Sequence, residues 1–225
     1  MFMEYTNIVL AIPHAAGWPI DFDWQRLPRV SESVRRWTDW HTDKLFGVED
    51  KRIAVVRGGL SRFDCDDERL EHEGDRICRY ALEGGIDTQT IGAKEWNFRL
   101  AEWFRYRAEL MLAAAGGERP LIIDCHSFPS DLDEDVDICI GFNEDESKPS
   151  DEVLEYVRGR FETAGFRVAF NRPYSNSIAP VGYRGHSVMI EVSKRCYLAE
   201  DEVEIGPGFA ALHSLLASIY EDLLA

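Results

Sequence analysis

The sequence predicts an α/β domain, a mostly parallel mixed sheet flanked by helices on both faces. Short apolar runs bounded by Pro and Gly recur along the chain, as buried strands do. Segments with helical apolar spacing separate them, and that alternation favours parallel pairing through crossover helices. No internal repeat or long linker divides the 225 residues, a length that fits one domain (1–225) with a full core.

The elements follow in order. Residues 7–12 form the first strand and lead into a Pro/Gly-rich loop that carries His14. A helix is expected over 31–46, with Ser31 as N-cap and Gly47 at its end. On it Val34, Trp37, His41 and Leu45 share one face, which makes His41 a core histidine. Asp39 and Asp43 lie four apart on another face, a spacing that can serve a metal, with a solvated surface the simpler reading. Residues 51–56 read as the next strand. The charged loop 58–75 is long enough to suspect function. It holds Arg62, Asp66 and Arg69, whose guanidinium forks suit a carboxylate, with a surface ion-pair network as the alternative. A helix over 94–115 stops at Gly116-Gly117. Strands follow over 121–124, with His126 just beyond, and over 136–140; the acidic run between them reads as a solvated loop. Residues 150–164 form a helix with Ser150 as N-cap and Gly165 as stop. Two strands, 166–170 and 187–192, come next. Asn171, Arg172 and Tyr174 sit in the turn after the first, and Glu191 lies inside the second. The chain closes on a helix over 208–224 with an apolar stripe.

Composition excludes several classes. The net charge of −16 argues against nucleic acid and anionic membranes as partners. No stretch approaches the length of a membrane span. The first residues lack a basic region and a long apolar core, so no secretion leader is expected. Five scattered cysteines without a CxxC pair favour reduced thiols and a cytoplasmic location. Cys125, between Asp124 and His126, is a candidate nucleophile or buried packing; packing is the simpler reading.

The chemistry-bearing pattern is the pair of histidines. In open α/β sheets, ligands bind beyond the carboxyl ends of the strands. His14 and His126 reach that edge from distant strands, where they would share one metal ion, and Glu191 occupies a comparable position. Two histidines with a carboxylate suit catalytic zinc, with a free carboxylate as general base. The competing reading is two hydrogen-bonded structural histidines. No HExxH motif is present, and Gly17 stands where an HxxE pair would need its glutamate.

Seven segments in order, PHAAG, TDWHTDKLF, SRFDCDDER, LIIDCHSFP, DICIGFN, NRPYSNS and VMIEVSKRCYL, resemble the N-formylglutamate amidohydrolase family. The resemblance implies a zinc-carboxypeptidase-like fold and amide hydrolysis with one zinc ion. It assigns His14, His126 and Asp39 to the metal, with Asp43 as rival to Asp39, and Glu191 as general base. Arg62 and Arg69 would hold substrate carboxylates, and Asn171 and Tyr174 would line the acyl side. The implied partner is a small anionic N-acyl amino acid, first N-formyl-L-glutamate, yielding L-glutamate and formate. Alternatives are another N-acyl amino acid, a short peptide, or a metal-free binding protein on the same fold. Three positions depart from the family pattern. Glu68-Arg69 and Ser193-Lys194 each stand where Asn-Arg is expected, and Tyr106-Arg107 replaces Tyr-His. An acidic chain that binds an anion needs a locally basic site, for which Arg62, Arg69, Arg172, Arg184, Lys194 and Arg195 are available.

Overall fold

Four apolar strands form the parallel half of the sheet: β1 (Asn7–Ile12), β2 (Ile53–Arg57), β5 (Pro120–Phe128) and β8 (His186–Ser193). The structure is a computed structural model and describes residues 5–17, 28–78, 81–82, 86–87 and 92–224. The six-stranded order is β2-β1-β5-β8-β6-β7. The last two strands, β6 (Ile138–Gly141) and β7 (Val168–Phe170), run parallel to each other, and β6 is antiparallel to β8. A separate short hairpin pairs β3 (Ala81–Leu82) with β4 (Ile86–Asp87).

Period-two alternation sorts the side chains between two faces. Ile8, Leu10, Leu121, Ile123, Cys125, Val188 and Ile190 pack on one face in the main core. Residues of α2 (Thr42–Phe46), α4 (Asp151–Thr163) and α5 (Phe209–Leu223) join them there, including Leu45, Val157, Leu212 and Leu216. Each such buried side chain contributes about 1.5–3 kcal/mol. On the other face, Val9, Ala11, Val56 and Ile122 pack against Tyr106, Leu110 and Ala114 of α3 (Ala93–Ala114). That helix covers the β2-β1-β5 half only, and the polar residues discussed below lie further along this same face.

Most expected elements are present with shifted ends. Ser150 caps α4, its hydroxyl accepting from Val153 N at 3.3 Å, and Gly165 at φ 93° ends it, a conformation suited to glycine. The helix expected over 31–46 is instead two: α1 (Pro28–Trp37) and α2. The apolar spacing survives the break, so periodicity alone did not reveal it. Residues 38–41 form a turn in which Thr42 Oγ1 donates to Asp39 O at 2.9 Å and His41 adopts φ 59°. His41 is therefore a half-buried turn residue and not a core one. No described helix is long and apolar enough to cross a membrane.

Candidate active site

The strand order creates a switch point. From β1 the chain passes to β2 on one side, and β5 lies on the other, so a crevice opens beyond the carboxyl ends of β1 and β5. His14 follows β1 by two residues. His126 does not follow its strand as expected: β5 continues to Phe128, and His126 stands within it, in register with Glu191 on β8. Asp124 and His126 share the face of Ile122, whereas Cys125 points into the opposite core. Burial pushes the Cys125 thiol well up, which marks it as packing. Gly58 lets the chain leaving β2 cross Pro13 closely, since a Cβ there would meet Pro13 O at 1.9 Å. That crossing brings the loop of Asp66 and Glu68 over His14.

Both imidazoles present Nδ1 to one carboxylate. His14 Nδ1 lies 3.6 Å and His126 Nδ1 3.2 Å from Asp39 Oδ2. Each Nε2 faces a different carboxylate, Asp66 Oδ1 at 2.9 Å for His14 and Asp124 Oδ1 at 3.0 Å for His126. Glu68 spans the Nε2 side, 2.9 Å from His126 and 3.7 Å from His14. Burial would lower the His14 pKa, but Asp39 and Asp66 raise it to about 9. Burial is likewise overridden at His126, where Glu68 and Asp124 lift it well above its ordinary range. Asp39 is driven far below the carboxylate range by both histidines, against its own burial. Glu191 moves the other way: burial first, then Asp39 and Glu68, raise it to about 8. Its Oε2 has no hydrogen-bond partner among the described residues.

These residues fit a metal ion. The candidate ligand atoms of His14, Asp39 and His126 lie within 4.8 Å of one another, and all three side chains are buried. His14 Nδ1 is a buried nitrogen without a hydrogen-bond partner among the described residues. A carboxylate behind each Nε2 favours the tautomer that leaves Nδ1 free to ligate. Two imidazoles and a carboxylate are a donor set suited to zinc. Asp43, by contrast, stays on α2 and belongs to none of the metal-competent clusters among the described residues.

The turn carrying Asp39 is held from behind. Lys194, fully buried after β8, donates to Arg35 O and Arg36 O at the end of α1. Tyr197 donates to Trp40 O at 2.7 Å, and Ser127 N to Asp39 Oδ2 at 3.2 Å. Lys194 thus serves the scaffold and is not among the described residues lining the cleft. Arg195 likewise binds backbone carbonyls of the 130–136 loop, and Arg172 pairs with Asp133.

A cleft of about 590 Å³ opens beside the histidines. Glu68, Arg69, Glu73, Arg107, Asp124 and Asn176 are among its lining residues. Arg69 reaches it while paired with Asp66 at 3.1 Å and Glu73 at 3.0 Å. The described lining does not include Arg62, Asn171 or Tyr174. Arg62 sits behind the histidines, 3.9 Å from Asp39 and 3.8 Å from Asp66. The Asn171 amide oxygen accepts from Phe142 N at 2.9 Å, and the Tyr174 carbonyl accepts from the Cys139 thiol. From the same turn, Ser175, Asn176 and Ser177 enter the cleft instead. Asp124 was not singled out in the sequence. Its signal is the D-x-H spacing on a strand, which puts both side chains on one face.

A family model described as N-formylglutamate amidohydrolase matches residues 6–198. The solved N-formylglutamate amidohydrolase of Ralstonia eutropha JMP134 superposes with a TM-score of 0.79 at 20% identity, over 96% of this chain and 92% of that one. A gene product of Agrobacterium tumefaciens gives 0.64 at 18% identity, over 96% and 91%. At these identities the structural likeness concerns the fold. No curated protein matches.

Proposed function

The chain belongs to the N-formylglutamate amidohydrolase family, and from that premise we propose that it hydrolyses the amide bond of a small N-acyl amino acid with one zinc ion as cofactor. His14, His126 and Asp39 would hold the ion. Bound there, zinc would supply a Lewis acid that polarises the amide carbonyl and acidifies water. The observation that carries the reading is the two buried Nδ1 atoms facing one carboxylate, each imidazole backed by a carboxylate of its own.

The protein's own groups do the rest. Asp66 and Asp124 orient the imidazoles through Nε2 and strengthen them as ligands. Glu191 is the general base: its unpartnered Oε2 takes a proton from the attacking water and returns it to the leaving nitrogen. Its buried, apolar strand position matches its proton affinity to that task. Arg69 and Arg107 are the cleft cations from which a substrate carboxylate draws its contact, while Arg62 holds Asp39 and Asp66 in place. Asn171 and Tyr174 shape the turn that sends Asn176 toward the acyl side. The five free cysteines suit a reducing compartment such as the cytoplasm.

The test is zinc analysis of the purified protein, with formate release from N-formyl-L-glutamate and related N-acyl amino acids. Near-stoichiometric zinc is expected. Glu191→Gln should keep zinc and lose turnover by on the order of 10²-fold or more. A protein that binds no zinc and cleaves no N-acyl amino acid would be a binding module on this fold.

A further inference from the structure

We propose that Glu68 and Arg107 together set the substrate specificity: Arg107 takes the amino acid's carboxylate, and Glu68 faces a cationic or hydrogen-donating side chain in place of a second carboxylate. This rests on the amide-hydrolase reading above and narrows its substrate class. The structure brings these two residues into contact at the cleft wall. Arg107 donates through one Nη to Glu68 O at 3.1 Å and Arg69 O at 2.9 Å. Its guanidinium lies 5.1 Å from the Trp103 ring, which fixes its plane. Its Nε is buried, while the half-buried side chain as a whole contributes to the cleft wall.

The charges around them decide the class of side chain. Glu68, Glu73, Asp124 and Asp145 line the cleft against only Arg69 and Arg107. Arg69 is already shared between Asp66 and Glu73, so its charge is largely balanced. Lys194, Arg195 and Arg172 are held elsewhere. A substrate with one carboxylate can use Arg107. A second carboxylate would meet Glu68 at the inner end of the cleft, beside His126, where like charges repel and solvent screening is reduced. An ammonium or amide group at that point gains a charge-assisted hydrogen bond instead.

The experiment compares N-formyl-L-lysine, N-formyl-L-glutamine and N-formyl-L-glutamate as substrates of the zinc-loaded protein. In parallel, calorimetry measures the affinity of the free amino acids. The expected order is lysine, then glutamine, then glutamate, with at least about tenfold between the extremes in kcat/KM and in Kd. Glu68→Asn should shrink or invert that ratio, and Glu68→Gln should move it the same way. Arg107→Ala should weaken all three amino acids alike. If glutamate is preferred by the wild type, or if neither Glu68 variant changes the ratio, the assignment fails while the hydrolase reading stands. If no substrate is cleaved but the amino acids bind in the expected order, the hydrolase reading fails and the assignment stands.

Discussion

Asp124→Asn probes the proposed metal site through a residue outside the proposed ligand set of His14, Asp39 and His126. Asp124 accepts twice: Oδ2 from Ile178 N at 2.8 Å, and Oδ1 faces His126 Nε2 at 3.0 Å. An asparagine has one acceptor oxygen for these two donors. Its NH₂ must then oppose either the Ile178 amide or the imidazole N–H. If the amide oxygen keeps Ile178, His126 Nε2 loses Asp124 as an acceptor, retains Glu68 Oε1 at 2.9 Å, and the preference for the tautomer that exposes Nδ1 weakens. If it keeps His126, the cleft loop at Ile178 loses a backbone hydrogen bond of about 1 kcal/mol. In both cases the Asp124 charge behind the imidazole is gone. Removing such a partner weakens metal binding by roughly 10–100-fold, which is about 1.4–2.7 kcal/mol. Chelator competition at pH 7 measures this directly, and thermal unfolding reports whether the variant stays folded. Zinc affinity within about twofold of wild type, in a folded variant, would refute the outer-carboxylate argument. A loss far above a hundredfold would make Asp124 itself a ligand.

Other outcomes follow from the same geometry. Asp39→Ala should weaken zinc binding much more than Asp43→Ala, because only Asp39 faces both Nδ1 atoms; the reverse order in metal analysis would transfer the role. Zinc affinity should fall as pH drops. Without metal the neighbouring carboxylates raise His14 to about 9 and lift His126 above its ordinary range, so both hold protons more tightly than a free imidazole and zinc must compete with those protons. Competition titrations from pH 6 to 8 should show about a tenfold change per unit for each proton released, and a flat profile would contradict this. Away from the site, Arg167 and Arg195 hold Asp137 at about 2 against its burial. That stabilisation is complete above the ordinary value of 3.8 and is lost as pH falls through about 2. Asp137→Asn should cost about 1–2 kcal/mol at neutral pH; an unchanged Tm would show the cluster to be inert.

Much of the fold was legible because apolar runs and caps are local signals. The run before His14, the alternation around Glu191, and Ser150 with Gly165 each report a short stretch of backbone. The break between α1 and α2 was not legible, since Val34, Trp37, His41 and Leu45 keep helical spacing across it. The contacts that hold the break come from far along the chain: Ser127 and His126 on Asp39, Lys194 and Tyr197 on the backbone around it. Lys194 illustrates the same limit. As a sequence it is a spare cation near a proposed base, and only the fold shows it at the end of α1. Asp124 and Glu68 needed the sheet register and the loop crossing at Gly58 before their proximity to the imidazoles could be seen.

The clamp behind Asp39 has a consequence for how the protein is made. His14 lies just past β1 and His126 within the neighbouring β5, so pairing of those two strands brings the imidazoles together. Asp39 does not arrive with them. Its turn is pinned by Lys194 and Tyr197, more than 150 residues downstream, and contacts of such sequence separation form slowly. Without that packing the two imidazoles would lack a positioned Asp39 carboxylate between them. On the proposed ligand set, the metal site is complete only when residues 194–197 have packed behind the Asp39 turn.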